Sequence, residues 1–177
     1  MYIAGIDYSC TSPAITIWDI DRNKHIVTYF IEKNKKYVSA DEKYIGLRPI
    51  DTDERQFIYA AYFTNVIQKY NPSQIYIEGY AYGAQLSRGR EIAEATGCLK
   101  QAVYTATKKT LTPIPPKVIK KAVAGNGNAT KEDMYKAVHI DFETIFPKAS
   151  ITKTAITGNP ISDIVDSIAI IYYVQEN

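Results

Sequence analysis

The sequence predicts an α/β protein in which helices cover both faces of a mixed five-stranded sheet. Three short segments rich in β-branched and aromatic residues come first, and the turn residues between them indicate an antiparallel meander. Longer segments with helical spacing of apolar residues then alternate with two further short strands. With 177 residues, 46% of them hydrophobic, the chain can form one sizeable core, so we expect a single domain over residues 1–177.

The strands are assigned to the short β-rich segments. The five predicted strands are Tyr2–Ile6, Ala14–Trp18, His25–Ile31, Gln74–Glu78 and Leu111–Ile114. The first and fourth strands are expected to be parallel neighbours in the sheet. The segment from Lys33 to Pro49 is polar and weakly patterned, and it is interpreted as a long exposed loop.

Five helices are predicted from apolar spacing and from the residues at their ends. The first begins at the acidic run that starts with Asp51, and this helix ends at about Tyr70. The others cover about Ser87–Thr107, Pro116–Val123, Lys131 to about Phe142, and Asp163–Val174. Thr130 is the expected N-cap of the fourth helix with Asp133 as its capping-box partner, and Ser162 is the expected cap of the fifth.

Four carboxylates on three separate segments are expected to meet at one end of the sheet. Asp7 follows the first strand, Glu78 closes the fourth, and Asp163 and Asp166 share one face at the start of the last helix. An isolated pair of acids at a helix start is usually explained by its favourable interaction with the helix dipole. Acids that come from three separate segments to one place are hard to explain by packing. Because clustered carboxylates repel unless cations neutralise them, the pattern predicts a two-metal Mg²⁺ site for phosphodiester hydrolysis.

Positive charge is concentrated in residues 81–131, which carry nine Lys/Arg and two Glu. The stretch has a net charge of +7, while the whole chain has +2 and the remainder therefore −5. The basic residues are Arg88, Arg90, Lys100, Lys108, Lys109, Lys117, Lys120, Lys121 and Lys131. A solvated helix face accounts for single lysines, but this concentration beside an acidic site favours binding of a nucleic-acid phosphate backbone.

Cysteine, histidine and hydropathy patterns exclude several classes of protein. Cys10, Cys98, His25 and His139 do not have the spacing of a zinc framework, so structural zinc is not expected. The chain has no basic and apolar leader pattern and no run of about 18 apolar residues. We therefore expect a cytoplasmic protein without a membrane partner.

The chain resembles the RuvC-type Holliday junction resolvases of the RNase H-like superfamily, and most of all their compact phage-borne members. The resemblance covers nearly the whole chain and depends on the order and spacing of four motifs. They are Gly5-Ile6-Asp7, Ile77-Glu78, Gly125-x-Gly127-x-Ala129-x-Lys131 and Asp163-x-x-Asp166-Ser167-x-Ala169.

The resemblance implies an RNase H-like fold and a homodimeric, Mg²⁺-dependent endodeoxyribonuclease of a bacterial or phage-infected cell. Such an enzyme cuts two strands of a four-way DNA junction symmetrically, and its two-fold symmetry matches the substrate. Two Mg²⁺ ions, or Mn²⁺ in their place, would be held by Asp7, Glu78, Asp163 and Asp166. Lys120 and Lys131 match the family's basic residues near the scissile phosphate. The residues interpreted as contacts to the DNA phosphate backbone are Lys117, Lys121, Arg88 and Arg90.

Two loops depart from the family pattern. The first acid is commonly followed by a glycine, whereas this chain continues Tyr8-Ser9-Cys10-Thr11. Resolvases often place an aromatic wedge after the second acid, and here the loop Gly79–Gly83 offers both Tyr80 and Tyr82. Either tyrosine is a candidate for stacking on junction bases, and a plain turn is the alternative.

Two other functions stay open at this point. The turn after Asp7 also resembles the phosphate-binding turn of actin-like ATPases, but these proteins need a second lobe and a glycine-rich adenosine loop. A catalytically silent junction-binding protein would keep the basic stretch and lose an acid, whereas this chain has all four. The sequence does not indicate whether four-way junctions are preferred over forks or flaps.

Overall fold

The computed structural model describes residues 1–79 and 86–177 of the chain, with side chains from residue 89 onward in the second range. Its strands are β1 (Tyr2–Asp7), β2 (Ala14–Asp19), β3 (Lys24–Ile31), β4 (Tyr44–Leu47), β5 (Gln74–Glu78) and β6 (Thr112–Ile114). Within the described ranges these six strands form one sheet in the order β4-β3-β2-β1-β5-β6. The first three are antiparallel neighbours, and β4, β5 and β6 each join in parallel, so the predicted meander and mixed sheet are confirmed.

The prediction of five strands and of an exposed loop from Lys33 to Pro49 was wrong. This segment contains a short 3₁₀ turn, Lys35–Tyr37, and the edge strand β4. Tyr37 and Tyr44 are buried, and their rings lie 5.6 and 6.4 Å from that of Phe146. Two tyrosines therefore anchor the segment to Phe146, which is far away in the sequence. A single-sequence pattern does not reveal such a partner.

Seven α-helices occur in the described ranges. They are α1 (Arg55–Tyr70), α2 (Leu86–Thr107), α3 (Pro116–Ala124), α4 (Lys131–Val138), α5 (Phe142–Ile145), α6 (Lys153–Thr157) and α7 (Ile161–Glu176). The predicted helix from Lys131 to Phe142 is divided, because His139 has a left-handed backbone with φ of 51° that ends α4. The capping box of Thr130 and Asp133 is present as predicted.

Helices cover both faces of the sheet, as predicted. α1 and α2 pack together on one face, where Phe63 and Leu99 join a core cluster with Ile6 of β1. α7 crosses β1 and β2 on the other face, with α3 and α4 packed against it. None of the helices in the described part of the chain has both the length and the apolar character that a bilayer crossing requires.

α7 lies very close to β1 because Gly5 has no side chain. A Cβ atom added at Gly5 would lie 2.5 Å from the carbonyl oxygen of Ser167. Buried hydroxyls reinforce the contact: Thr16 Oγ1 is 2.8 Å from Ser167 Oγ and 2.8 Å from Thr28 Oγ1. The Ser167 hydroxyl also donates to the carbonyl oxygen of Ile164 at 2.8 Å. The start of α7 is thereby fixed over the end of β1.

Candidate active site

The four predicted carboxylates line one cleft of about 400 Å³. The parallel register pairs Ile6 with Ile77, so Asp7 and Glu78 follow at the same edge of the sheet. Asp163 lies in the first turn of α7 and Asp166 one turn further along. Because α7 packs on β1, both of its acids reach the cleft beside Asp7. The structure therefore brings together all four acids.

Burial is the largest cause that raises the pKa of every one of these carboxyl groups. The pKa of Asp7 is raised well above its ordinary value, first by burial and then by the charges of Glu78, Asp163 and Asp166. The pKa of Glu78 is raised to about 7, that of Asp163 to about 8 and that of Asp166 to about 6. The interaction between the Asp7 and Asp163 carboxyls further raises the pKa of Asp7 and lowers that of Asp163. The protein alone therefore does not stabilise four ionised carboxylates here.

A divalent cation fits this cleft on the chemistry of its donors. The described ion pairs include none of the four acids, and the buried Oδ2 atom of Asp163 has no hydrogen-bond partner. The four acids line one cleft, but among the described residues no group of three His, Cys, Asp or Glu side chains is arranged so as to hold a single metal ion. Since the available donors are carboxylate oxygens, the site suits Mg²⁺ or Mn²⁺ better than zinc. Metal binding stays a prediction.

Lys120 and Lys131 belong to the same cleft. Lys120 Nζ donates to the carbonyl oxygen of Ala129 at 2.9 Å, and Lys131 Nζ donates to Ser162 Oγ at 3.1 Å. Both ammonium charges lower the pKa values of Glu78 and Asp166 and so offset part of the effect of burial. Two cations therefore lie where a phosphate would approach the acids.

Among the other predicted DNA contacts, those with described side chains, Lys117, Lys121 and Arg90, do not line the cleft. Lys117 and Lys121 line a separate hollow with Tyr173 near the C-terminal end of α7. Arg90 is exposed and pairs with Glu94 at 3.1 Å. The side chain of Arg88, together with Tyr80 and Tyr82, lies outside the described residues.

Sequence reasoning missed the role of Ser162 and the position of Lys33. Ser162 is not a helix cap, because α7 begins at Ile161 and Pro160 is its N-cap. The Ser162 hydroxyl instead contacts Lys131, and it is buried at 2% exposure. Lys33 lies near Asp163, and its charge lowers the pKa of that carboxyl. A basic run, Lys33-Asn34-Lys35-Lys36, was the available signal, but it falls outside residues 81–131.

Two curated relatives are similar to the chain in sequence. The crossover junction endodeoxyribonuclease RuvC of Brachyspira hyodysenteriae is 33% identical over 119 residues, which are 63% of this chain and 70% of the relative. The crossover junction endodeoxyribonuclease RuvC of Halothermothrix orenii is 30% identical over 140 residues, 78% of this chain and 76% of the relative. No protein-family model matches the chain.

Solved structures have the same fold at low sequence identity. Thermus thermophilus RuvC in complex with a Holliday junction superposes with a TM-score of 0.64 and 17% identity, over 99% of this chain and 96% of that one. The yeast mitochondrial Holliday junction resolvase Ydc2 gives a TM-score of 0.54 and 16% identity, over 98% and 77% of the two chains. The expected RNase H-like fold is therefore confirmed.

Proposed function

The chain belongs to the RuvC family of crossover junction endodeoxyribonucleases, and we propose that it resolves four-way DNA junctions by hydrolysis. Membership makes it a structure-selective endonuclease. The observation that carries the chemistry is the convergence of four carboxylates and two lysines in one cleft, where Asp7 and Asp163 are buried and Glu78 and Asp166 are half-buried. The compact phage-borne subtype and a cytoplasmic location stay parts of the proposal.

RuvC-family nucleases use divalent metal ions, and in this chain Asp7, Glu78, Asp163 and Asp166 are the proposed ligands. We propose two Mg²⁺ ions per site, with Mn²⁺ as a working substitute. When bound, such ions lower the pKa of water and neutralise charge on a phosphate. The carboxylates fit this task because they lie on the rigid end of the sheet and on a helix fixed to it.

The lysines have a distinct part in the proposed reaction. The oxygen of a water molecule forms a bond to phosphorus and gives up one proton, while the bond to one bridging oxygen breaks and that oxygen takes up a proton. Negative charge develops on the leaving oxygen before the proton arrives. The ammonium groups of Lys120 and Lys131 line the cleft beside the acids and would stabilise this charge.

The remaining basic residues are proposed to hold the DNA away from the reacting phosphate. Lys117 and Lys121 face a neighbouring hollow, and Arg90 lies on α2, whose residues Gly89 and Ile92 line the cleft. Arg88 is the further candidate on α2. Contacts of this kind set affinity and its salt dependence rather than rate. Tyr80 and Tyr82 stay candidates for stacking on bases at the junction centre.

Cleavage of a panel of branched substrates tests the proposed function. A four-way junction should receive one nick in each of two opposed strands, with Mg²⁺ or Mn²⁺ and not with chelator present. A linear duplex of matched sequence should be cut at least about tenfold more slowly, as expected for structure selectivity, a difference of about 1.4 kcal/mol in activation free energy. Forks and flaps in the same panel measure the breadth of that selectivity. Binding without nicks on any branched substrate would favour the silent junction-binding alternative.

We further propose a homodimer that pairs through the exposed face of α2. Ala93, Gly97 and Tyr104 are exposed on this face. Apart from its chain neighbours and the nearby backbone of α2, no atom of the described residues lies within 4 Å of a Cβ built at Gly97. Ala95 points the other way into the core at 3% exposure. The small residues of α2 therefore divide between packing on the protein and a free surface.

The dimer prediction is measured by multi-angle light scattering, free and with a junction. The protein mass of the wild type should be twice that of one chain, both free and in the complex with the junction. Gly97→Arg should yield monomers with little change in melting temperature, whereas Ala95→Leu should lower the melting temperature because overpacking costs about 1–3 kcal/mol. A wild type that is a monomer both free and on DNA would contradict paired cuts by one dimer.

A further inference from the structure

We infer that Asn159 and Ser162 are positioning residues that hold the ammonium group of Lys131 in the cleft. The inference rests on the proposed function, because it concerns the proposed role of Lys131 at the scissile phosphate. It adds two residues to the machinery that the sequence did not mark. Neither residue contacts the phosphate; both act through the lysine.

A series of four hydrogen bonds, three of them between side chains, supports the inference. Lys131 Nζ donates to Ser162 Oγ at 3.1 Å, and Ser162 Oγ donates to Asn159 Oδ1 at 3.2 Å. The amide Nδ2 of Asn159 donates to Ser12 Oγ at 2.8 Å. The backbone N–H of Ser12 then donates to Ser9 Oγ at 3.0 Å, and Ser9 lines the catalytic cleft.

Donors and acceptors match along this series. The Ser162 hydroxyl accepts one hydrogen bond from Lys131 and donates one to Asn159, so its lone pair and its proton both have partners. Ser12 and Ser162 are almost fully buried, at 1% and 2% exposure. Because Ser162 is buried, loss of its hydrogen bonds would leave a buried polar group unpaired, and this favours the arrangement in which both partners are in place.

Lys131 needs such an anchor because its residue is exposed at the start of α4. A long lysine side chain in solvent samples many rotamers, and only some of them place the ammonium near the acids. The buried Ser162 hydroxyl selects the conformers that point into the cleft. Electrostatic stabilisation of a transition state depends on charge that is already in place, so the anchor acts on rate.

The same series of hydrogen bonds connects three segments that contribute residues to the cleft. Ser9 and Ser12 are in the turn that follows Asp7, Asn159 and Ser162 flank the start of α7 beside Asp163, and Lys131 opens α4. A shift in any one segment is therefore transmitted to the lysine. Asn159 is exposed, so its replacement by alanine leaves no core cavity and is compatible with folding.

The test measures single-turnover cleavage and junction affinity for Ser162→Ala, Asn159→Ala and Lys131→Ala, alone and combined. Each single variant should slow cleavage of a four-way junction by about tenfold to a hundredfold, the loss expected for a misplaced catalytic group, with affinity within about twofold of wild type. In the Lys131→Ala background, neither further substitution should reduce the rate again. Ser162→Thr keeps the hydroxyl and should recover most of the rate.

Lys136→Ala, an exposed change on the same helix, is the matched control and should cleave at the wild-type rate. If Asn159→Ala lowers the rate by the same factor with and without Lys131, the inference is overturned, because the residue then acts elsewhere. Affinity losses as large as the rate losses would overturn it as well. Failure of the proposed function looks different: the wild type would not cleave, or Lys131→Ala alone would retain the wild-type rate.

Discussion

Replacement of Asp7, Glu78, Asp163 or Asp166 by its amide is expected to abolish junction cleavage while leaving junction binding largely intact. The amide keeps the shape of the side chain but removes a charged oxygen ligand from the cleft. Loss of a group that stabilises charge in a transition state costs about 10²–10³-fold in rate, and loss of a metal ligand should cost at least as much. Binding should persist because the phosphate contacts come from the basic residues.

Single-turnover cleavage under saturating Mg²⁺ and gel-shift titration of the same junction measure the two effects separately. Affinity without metal is expected to be equal to or tighter than wild type, since one negative charge near the DNA is gone. Glu143→Gln is a suitable control, because it makes the same chemical change on an exposed residue outside the cleft. Near wild-type cleavage by two or more of the four variants would contradict the metal site.

The metal-free protein is expected to lose stability as the pH rises from 6.5 to 8. A carboxyl group whose pKa is raised by folding binds more protons in the folded state than in the unfolded state, so deprotonation favours unfolding. In the unfolded chain these groups titrate near about pH 4, whereas folding raises the pKa of Glu78 to about 7 and that of Asp163 to about 8. The stability is therefore present below the unfolded values and is lost as the pH rises through the folded ones.

The pH window avoids an opposite contribution from His25. Burial lowers the pKa of His25 to about 4, so this residue destabilises the folded protein only as the pH falls below about 6.5. Between pH 6.5 and 8 the melting temperature should fall by about 5 °C. A shift of one pKa unit changes the free energy of unfolding by about 1.4 kcal/mol, and each kcal/mol changes the melting temperature of a protein of this size by about 2–4 °C.

Added Mg²⁺ or Mn²⁺ should reverse this loss, and by more at pH 8 than at pH 6.5, because binding requires deprotonated ligands. Differential scanning calorimetry with and without metal provides the measurement. Asp163→Asn should melt at a higher temperature than the metal-free wild type at pH 8 and should respond weakly to metal. A wild-type melting temperature that changes neither with pH nor with added metal would contradict the prediction that the ionised acids destabilise the metal-free protein.

The sequence predicted the positions of the four acids better than it predicted the segments around them. Asp7 and Glu78 could be placed because each ends a short buried strand, and parallel neighbours end at the same edge. Asp163 and Asp166 could be placed because their spacing fixes a common helix face. In each case local periodicity determines where the side chain points, so no distant contact has to be known.

The missed features depend on partners far away in the chain. β4 is held by Tyr44 against Phe146, and nothing local distinguishes its four residues from a loop. Ser162 had the residue type and position of a helix cap, yet its hydroxyl is used by Lys131. The break at His139 depends on a left-handed backbone at a residue without the usual glycine signal. Residue type alone does not choose among such competing partners.

Gly5 has a consequence for metal selectivity in the proposed site. The distance from β1 to α7 also sets the spacing between Asp7 and the two acids of α7, and at Gly5 this distance is limited by a backbone carbonyl rather than by a side chain. A backbone contact cannot relax by a change of rotamer. Mg²⁺ requires near-ideal geometry at about 2.0–2.1 Å, whereas larger ions such as Ca²⁺ accept about 2.3–2.6 Å. A strand glycine that binds no metal would thereby help to decide which ion fits.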